Sequence, residues 1–402
     1  MVNMNNILIL TKIFPAEDLR YIDTKVVYFF VKEWTNMGYN VIVVHNYIIF
    51  PRVFYYLSAL FKSIIRGKAI EASLSGYDNS IRKYNYDGIP VLRVPIKKLI
   101  PHSMTSEKRV LSNFALIDNY LEEIGFRPDV TLAHWWTPQL QLLSLFKKKY
   151  QCRTSLVIHD ITNSNNTQVF KRYFEDVDIW GFRSIPLMKE FQKTYGSNYR
   201  MFHCVSGIPS NYIKEKRNSI YNGGKLRIAY VGSLIERKYP ISILKASNRL
   251  SKNLAVNIQY VGTGGELKKL ESYKRKLMGN VNVEFCGRLS REGVSKILDN
   301  TDIFIMISRE EAFGLVYLEA MASGCITIAA RDEGMEGIII NGENGFLCGA
   351  GNDEELASII EMIARMSPEQ IKKISDNAID TVKSYTDQVV AKKYLDNVMF
   401  VL

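Results

Sequence analysis

Cysteine is scarce in this chain. Its five residues (Cys152, Cys204, Cys286, Cys325 and Cys348) are scattered, odd in number and without a C-x-x-C pair. That excludes a disulfide framework and a structural metal site of ordinary spacing, and it fits a reducing compartment. Long apolar runs are lacking too: no stretch approaches the 18 or more residues of a membrane-crossing helix. The opening MVNMNNILIL has no basic flank and only a short apolar run, so it reads as a first strand and not as a signal peptide. The expected location is cytoplasmic. No G-x-G-x-x-G follows that strand, which argues against a nicotinamide oxidoreductase. The first loop, FPAEDLRYID, has no glycine at all, so no phosphate-cradling role falls on it.

What is present is ordinary in bulk: 47% hydrophobic and 23% charged residues in 402, enough for two domains with real cores. The net charge of +11 is uneven. Met1 to Ser210 holds 26 basic and 17 acidic residues, net +9, and the remainder nets +2. Such asymmetry points one half toward an anionic partner. A nucleic-acid binder would share it, but the basic residues here mix with apolar segments and match no nucleic-acid motif. The densest mixture is 47–70, YIIFPRVFYYLSALFKSIIRGKAI, in which Arg52, Lys62, Arg66 and Lys68 meet no acid. It reads either as a helical pair on the sheet or as a face lying on an anionic membrane surface.

Along the first half, strands are expected at Asn6–Phe14, Asn40–His45, Val91–Ile96, Val130–His134 and Ser155–His159, with weaker ones at Asp178–Ser184 and Met201–Val205. Helices are expected at Thr24–Met37, capped by Asp23 or Thr24, and at Glu107–Ile124 and Pro138–Tyr150. The spacing is that of βαβ units in a parallel sheet. His134 and His159 stand at strand carboxyl ends, where ligands of open parallel sheets bind. The polar stretch Asn211–Gly224 reads as a domain linker.

The second half restarts the pattern. Leu226–Val231 is a strand, then Gly232-Ser233 and the adjacent cations Arg237 and Lys238 precede a helix. A glycine admitting the backbone beside two cations suits a diphosphate. Asn257–Val261 runs into Gly262-Thr263-Gly264, and Asn282–Cys286 into Gly287-Arg288-Leu289. Asp302–Ser308 is a buried strand. Leu315–Ala322 is apolar at nearly every position, as a buried helix is, and Glu319 is its one charge. A carboxylate so placed implies donors nearby. Glu311 precedes the helix N-terminus, where the macrodipole favours anions.

The filling between the two acids, EAFGLVYLEAMASG over Glu311–Gly324, resembles the E-x7-E signature of retaining, nucleotide-sugar-dependent glycosyltransferases of family 4. The resemblance is strong from about Leu226 onward and weaker before it. It implies an α/β GT-B fold, two Rossmann-like domains facing each other across a cleft. The expected domains are 1–210 for the acceptor, 211–385 for the donor, and a helix over 386–402 crossing back to the first. It implies transfer of a sugar from a nucleoside diphosphate sugar to a hydroxyl of a saccharide or lipid-linked saccharide, in polysaccharide or glycoconjugate biosynthesis. No metal or other cofactor is expected and no nucleic-acid partner.

By the same resemblance Glu311, Lys238, Arg237 and His159 are the catalytic candidates. Gly232, Ser233, Gly262, Gly264, Arg288, Leu289, Phe313, Gly314, Leu315 and Glu319 are the donor-binding ones. Two departures stand out: Ser233 and Tyr239 replace an arginine and a glycine common in the family's phosphate loop. Asp176-Val177-Asp178 looks like the metal-binding D-x-D of another glycosyltransferase architecture, but its context reads as surface charge. Lipid-linked acceptors, frequent in the family, favour a peripheral seat on the inner face of the cell membrane through 47–70. A sugar-nucleotide epimerase or hydrolase of the same fold is the competing enzyme.

Overall fold

Apolar strands alternate with helices along the chain, and the structure sorts them into two mostly parallel sheets. It is a computed structural model that describes residues 5–19, 25–53, 77–98, 105–160, 170–217, 221–278 and 280–399. Two units result. One comprises Met1–Phe182, Glu190–Cys204 and Val390–Leu402, the other Arg183–Lys189 and Val205–Val389. No helix among the described residues is long and apolar enough to cross a membrane.

In the first unit the strands are β1 (Asn6–Thr11), β2 (Asn40–Ile49), β3 (Arg82–Tyr86), β4 (Ile89–Lys97), β5 (Val130–His134), β6 (Arg153–Ile158), β7 (Ile179–Phe182) and β8 (Met201–His203). They lie in the order β3-β4-β2-β1-β5-β6-β7-β8, and only the β3–β4 pair among them is antiparallel. The helices are α1 (Val26–Asn36), α2 (Glu107–Glu123), α3 (Gln139–Tyr150) and α4 (Ile185–Tyr195), the last running on from the second unit. Val27, Phe30, Val31 and Trp34 form the buried stripe of α1, at the three- and four-residue spacing a sheet-covering helix needs. The N-cap of α1 is Lys25, without a side-chain cap; the expected caps Asp23 and Thr24 lie outside the described residues.

Two expectations for this unit need correction, and one strand must be added. β2 runs on to Ile49, burying Tyr47 and Ile49, so a membrane-facing stretch cannot begin at 47; 54–76 lies outside the described residues. Strand β3 went unforeseen, although its Asp87-Gly88 turn, both residues at positive φ, is a common hairpin connection. Asp176 and Asp178 are internal acceptors and not free surface charge. Asp176 accepts from Ser144 Oγ at 2.5 Å, and Asp178 accepts from Lys147 Nζ and the Thr154 backbone N–H.

The second unit has β9 (Leu226–Val231), β10 (Val256–Val261), β11 (Val281–Gly287), β12 (Ile303–Met306), β13 (Ile326–Ala330) and β14 (Phe346–Cys348), all parallel, in the order β11-β10-β9-β12-β13-β14. Its helices are α5 (Pro240–Ser247), α6 (Leu267–Lys274), α7 (Arg291–Asp299), α8 (Leu315–Ala322), α9 (Asp353–Ala364) and α10 (Pro368–Val382). A capping box of Ser367 and Gln370 starts α10. The segment read as a linker is fastened to this unit: buried Arg217 donates to Gly324 O, Thr301 O and Asp302. Helix α11 (Asp387–Met399) ends the chain, and its residues from Val390 on belong to the first unit. There Trp34 Nε1 donates to Ala391 O at 2.9 Å, and Tyr394 meets Phe30, Trp34 and Phe202.

Candidate active site

Strand order brings the site of the second unit together. Because β9 lies beside β12, the turn after β9 meets the turn after β12, although some seventy residues separate them. The short 3₁₀ turn Glu236–Lys238 carries the two cations. Lys238 Nζ sits 3.1 Å from Glu311 Oε2, with both side chains mostly buried. Arg237 stands 3.9 Å from the same oxygen, and its Nη1 donates to the carbonyls of Arg309 and Glu310. Gly232, at the end of β9, is beside Lys238 Nζ. Exposed Ser233 offers its carbonyl to Tyr230 Oη at 2.8 Å. Tyr239, where glycine is common, does adopt the left-handed conformation, φ 46°, with Arg309 over its ring and Gly351 against it.

Gly262 and Gly264 have a packing reason that the sequence did not disclose. A Cβ on Gly262 would stand 1.9 Å from Gly232 O, and one on Gly264 2.2 Å from Leu234 O. The two glycine turns therefore interlock, and only the absence of side chains permits it. Gly314 is left-handed, φ 80°, at the N-cap of α8, with a Cβ position blocked by the Tyr317 ring. Phe313 is buried beneath the Arg183 guanidinium, 5.3 Å from its centroid. Leu315 opens α8.

Glu333 escaped the sequence reading. Its carboxylate accepts the Glu311 backbone N–H at 2.9 Å and the Glu310 N–H as well. Gly334 behind it allows the 311–313 backbone to lie within 2.7 Å of where a Cβ would be. Glu310 is itself left-handed, φ 55°, so a carboxylate from the turn after the neighbouring strand holds the turn that aims Glu311. Burial, with the charges of Glu311 and Glu310, pushes the Glu333 carboxyl up against the pull of those N–H donors. No local sequence pattern announces it; the contact arises from β12 and β13 being neighbours.

Glu319 lies elsewhere in the unit. It lines a small hollow between α7 and α8 with Tyr212, Arg291 and Ser295, and no lining residue is shared with the Glu311–Lys238 pair. Donor side chains thus line the hollow, but among the described residues none hydrogen-bonds the Glu319 carboxylate: burial raises its carboxyl, and the charge of Arg291 opposes that rise. Arg288 is exposed and Leu289 partly so, on the turn from β11 into α7, whose Ser290 caps the helix by accepting the Gly293 N–H. That turn and the Glu319 hollow are both served by the first turn of α7.

His159 belongs to the first unit. Its Nε2 is 3.0 Å from His134 Nδ1, and its ring stacks on Trp135 at 4.1 Å. Among the described residues no group of three His, Cys, Asp or Glu is placed to hold a metal ion.

With this geometry in place, the second unit can be compared with a known family. Residues 212–381 match the family model of glycosyl transferases group 1. That match lies within the second unit and leaves the first unit outside it. The chain is 25% identical over 339 residues to an uncharacterized glycosyltransferase of Methanocaldococcus jannaschii, covering 80% of this chain and 87% of that one. It is 26% identical over 171 residues to the GalNAc-alpha-(1->4)-GalNAc-alpha-(1->3)-diNAcBac-PP-undecaprenol alpha-1,4-N-acetyl-D-galactosaminyltransferase of Campylobacter jejuni, covering 42% of this chain and 46% of that enzyme. Among solved structures, Anabaena HepE in complex with UDP and glucose superposes with a TM-score of 0.65 at 16% identity, covering 98% of this chain and all of that one. The two-domain α/β fold of this chain is thus the GT-B fold.

Proposed function

We propose that this protein is a retaining glycosyltransferase of family 4 that moves a sugar from a nucleoside diphosphate sugar to a saccharide or lipid-linked acceptor hydroxyl. The observation that carries the reading is the Lys238–Glu311 contact of 3.1 Å at the mouth of α8, with Arg237 beside it. A carboxylate and two cations held on rigid turns between glycines form an arrangement in which a diphosphate can displace the internal ion pair. Lys238 then turns to the leaving phosphate, where negative charge develops, and Glu311 is freed to accept hydrogen bonds from the transferred sugar. The backbone N–H groups around Phe313 and Gly314, at the amino end of α8, add donors for the same charge. The complexes of HepE with UDP and glucose and the lipid-linked substrate of the Campylobacter enzyme support the donor and acceptor classes by likeness.

Glu319 takes the ribose hydroxyls in this reading, with Arg288 and Leu289 beside the base. A bound ribose would supply the hydrogen-bond donors that its carboxylate lacks. No step requires a covalent nucleophile or a metal ion. The family resemblance assigns His159 to the transferred sugar, so His159→Phe should lower turnover and leave nucleotide affinity nearly unchanged.

The test is a thermal-shift screen of the full chain against UDP, GDP, ADP and CMP and their common sugars, since a ligand selective for the folded state raises its stability. One nucleotide should stabilise strongly, and Glu319→Ala should weaken its binding by about 1.5–3 kcal/mol, the range for a hydrogen bond to a charged group. Product analysis by NMR should show retained anomeric configuration. Unaltered nucleotide affinity in Glu319→Ala would remove the donor assignment. Sugar release without any acceptor would favour the epimerase or hydrolase instead.

A further inference from the structure

Glu311 is anchored twice, through its carboxylate and through its backbone. The carboxylate meets Lys238 Nζ at 3.1 Å, Ser308 Oγ at 3.4 Å and Arg237 Nη1 at 3.9 Å. The two cations are the groups a diphosphate would draw toward itself. Only the Ser308 hydroxyl would then stay on the carboxylate. That contact is long for an O–H donor. The same hydroxyl lies 3.3 Å from Tyr317 Oη, whose own hydrogen goes to Met306 O at 2.5 Å. Arg237 also ties the carbonyls of Arg309 and Glu310, so drawing it away loosens the turn ahead of Glu311 as well.

The remaining anchor involves neither cation. Glu333, on the turn after β13, accepts the Glu311 N–H at 2.9 Å and the Glu310 N–H beside it. Two successive N–H groups converging on one anion form a nest, a geometry that fixes the backbone making it. Here that backbone is strained. Glu310 sits at φ 55°, which a residue with a side chain keeps only where its surroundings hold it. Gly334 permits the approach, because a Cβ there would stand 2.7 Å from Glu311 O and from Phe313 Cα. Glu333 therefore holds the turn on the side away from the ion pair, and its hold does not depend on where Lys238 and Arg237 point.

We propose that Glu333 is a positioning residue for sugar transfer, keeping Glu311 directed at the transferred sugar once the diphosphate has taken up Lys238 and Arg237. This role rests on Glu311 being the sugar's partner, and it makes Glu333 act through Glu311 alone.

Calorimetric titration of the full chain tests it with UDP against UDP-glucose, UDP-galactose and their N-acetylated forms, and with GDP against GDP-mannose. The quantity read is the affinity of the tightest nucleotide sugar divided by that of its nucleotide. Glu311→Ala sets the reference and should lower this ratio about tenfold or more, as loss of a hydrogen bond to a charged group does. Glu333→Ala should lower it about fivefold or more while the affinity of the nucleotide itself stays within about threefold. Glu333→Gln keeps an acceptor oxygen for the Glu311 N–H and should retain most of the ratio. In a Glu311→Ala background, Glu333→Ala should change it less than about twofold, since two residues acting through one group are not additive. Should Glu333→Ala not fold, Glu333→Asp, one methylene too short to reach that N–H, takes its place with the same expected direction. A full loss in both backgrounds, or an unchanged ratio in Glu333→Ala beside a lowered one in Glu311→Ala, would overturn the positioning role and leave the donor reading standing. A ratio that Glu311→Ala does not move, or no binding of any nucleotide, would sink the donor reading and this role with it.

Discussion

Each unit ends its central strands in polar turns, but the two edges are equipped differently. In the second unit Gly232, Gly262 and Gly264 let two backbone turns interlock, and the cations there already face a carboxylate, Glu311. In the first unit the turn after β1 is Lys12-Ile13-Phe14-Pro15 without a glycine, and the charge of Lys12 bears on buried Lys98. Backbone donors need glycine to come close, whereas side-chain donors reach across a gap. One edge therefore rests on closely packed backbone, and the other on side chains.

Deep charge compensation in the second unit gives the largest expected effect. Asp302 is buried and accepts from Arg217 and Arg227 together. Asp302→Ala would leave Arg217 buried without its carboxylate and should cost about 3–5 kcal/mol, measured by urea unfolding. In the first unit, Arg93 is shared between Asp18 and Asp78, and Asp18 is 40% exposed, so Asp18→Ala should cost much less. Equal losses would break the contrast between the units. Next in size is Lys238→Ala, expected to lower turnover about 10²–10³-fold, as loss of one transition-state donor does. Its effect on nucleotide affinity should stay below tenfold; the reverse pattern, weak binding with normal turnover, would move Lys238 from chemistry to simple recognition.

Much of the second unit was legible because its elements are strongly patterned. The expected Leu226–Val231 strand and Leu315–Ala322 helix coincide with β9 and α8, since a continuous apolar run bounded by glycine leaves few alternatives. Boundaries in the first unit drifted where apolar residues run on past a strand, as at Tyr47–Ile49. Contacts set by strand order were not legible. Arg237 was read as a diphosphate ligand, yet it also ties down the 309–310 carbonyls, and Glu333 holds the Glu311 turn from the next strand. Asn46, one residue past the expected Asn40–His45 strand, carried no signal, because a buried amide without a partner is a property of its surroundings and not of its neighbours in sequence.

A smaller effect sharpens the role of the glycines. Gly262→Ala forces a methyl into Gly232 O at a left-handed residue, φ 139°, and should destabilise by about 1–3 kcal/mol, the usual range for overpacking, with weaker nucleotide binding. Gly38, also left-handed at φ 91° but with open space around its Cβ position, should lose only about 1 kcal/mol as alanine, from backbone strain alone. Thermal melts of both variants with and without nucleotide would separate the two; matching losses would mean that the interlocked turns add nothing beyond strain.

The smallest expected effect concerns Glu319. Burial raises its carboxyl above the ordinary 4.5, against the charge of Arg291, so the folded protein holds this proton more tightly than the unfolded chain. Its contribution to stability is then complete below pH 4.5 and declines as pH rises through the folded value, the opposite of a salt-bridged carboxylate. Glu319→Gln, which mimics the protonated form, should melt slightly higher than wild type at pH 7 and alike near pH 4, while losing nucleotide affinity. Glu333 is raised for the same reason and should supply the slope that remains in that variant. If Glu319→Gln melted lower at pH 7, the carboxylate would be a stabilising partner of Arg291 and not a strained group awaiting a ligand.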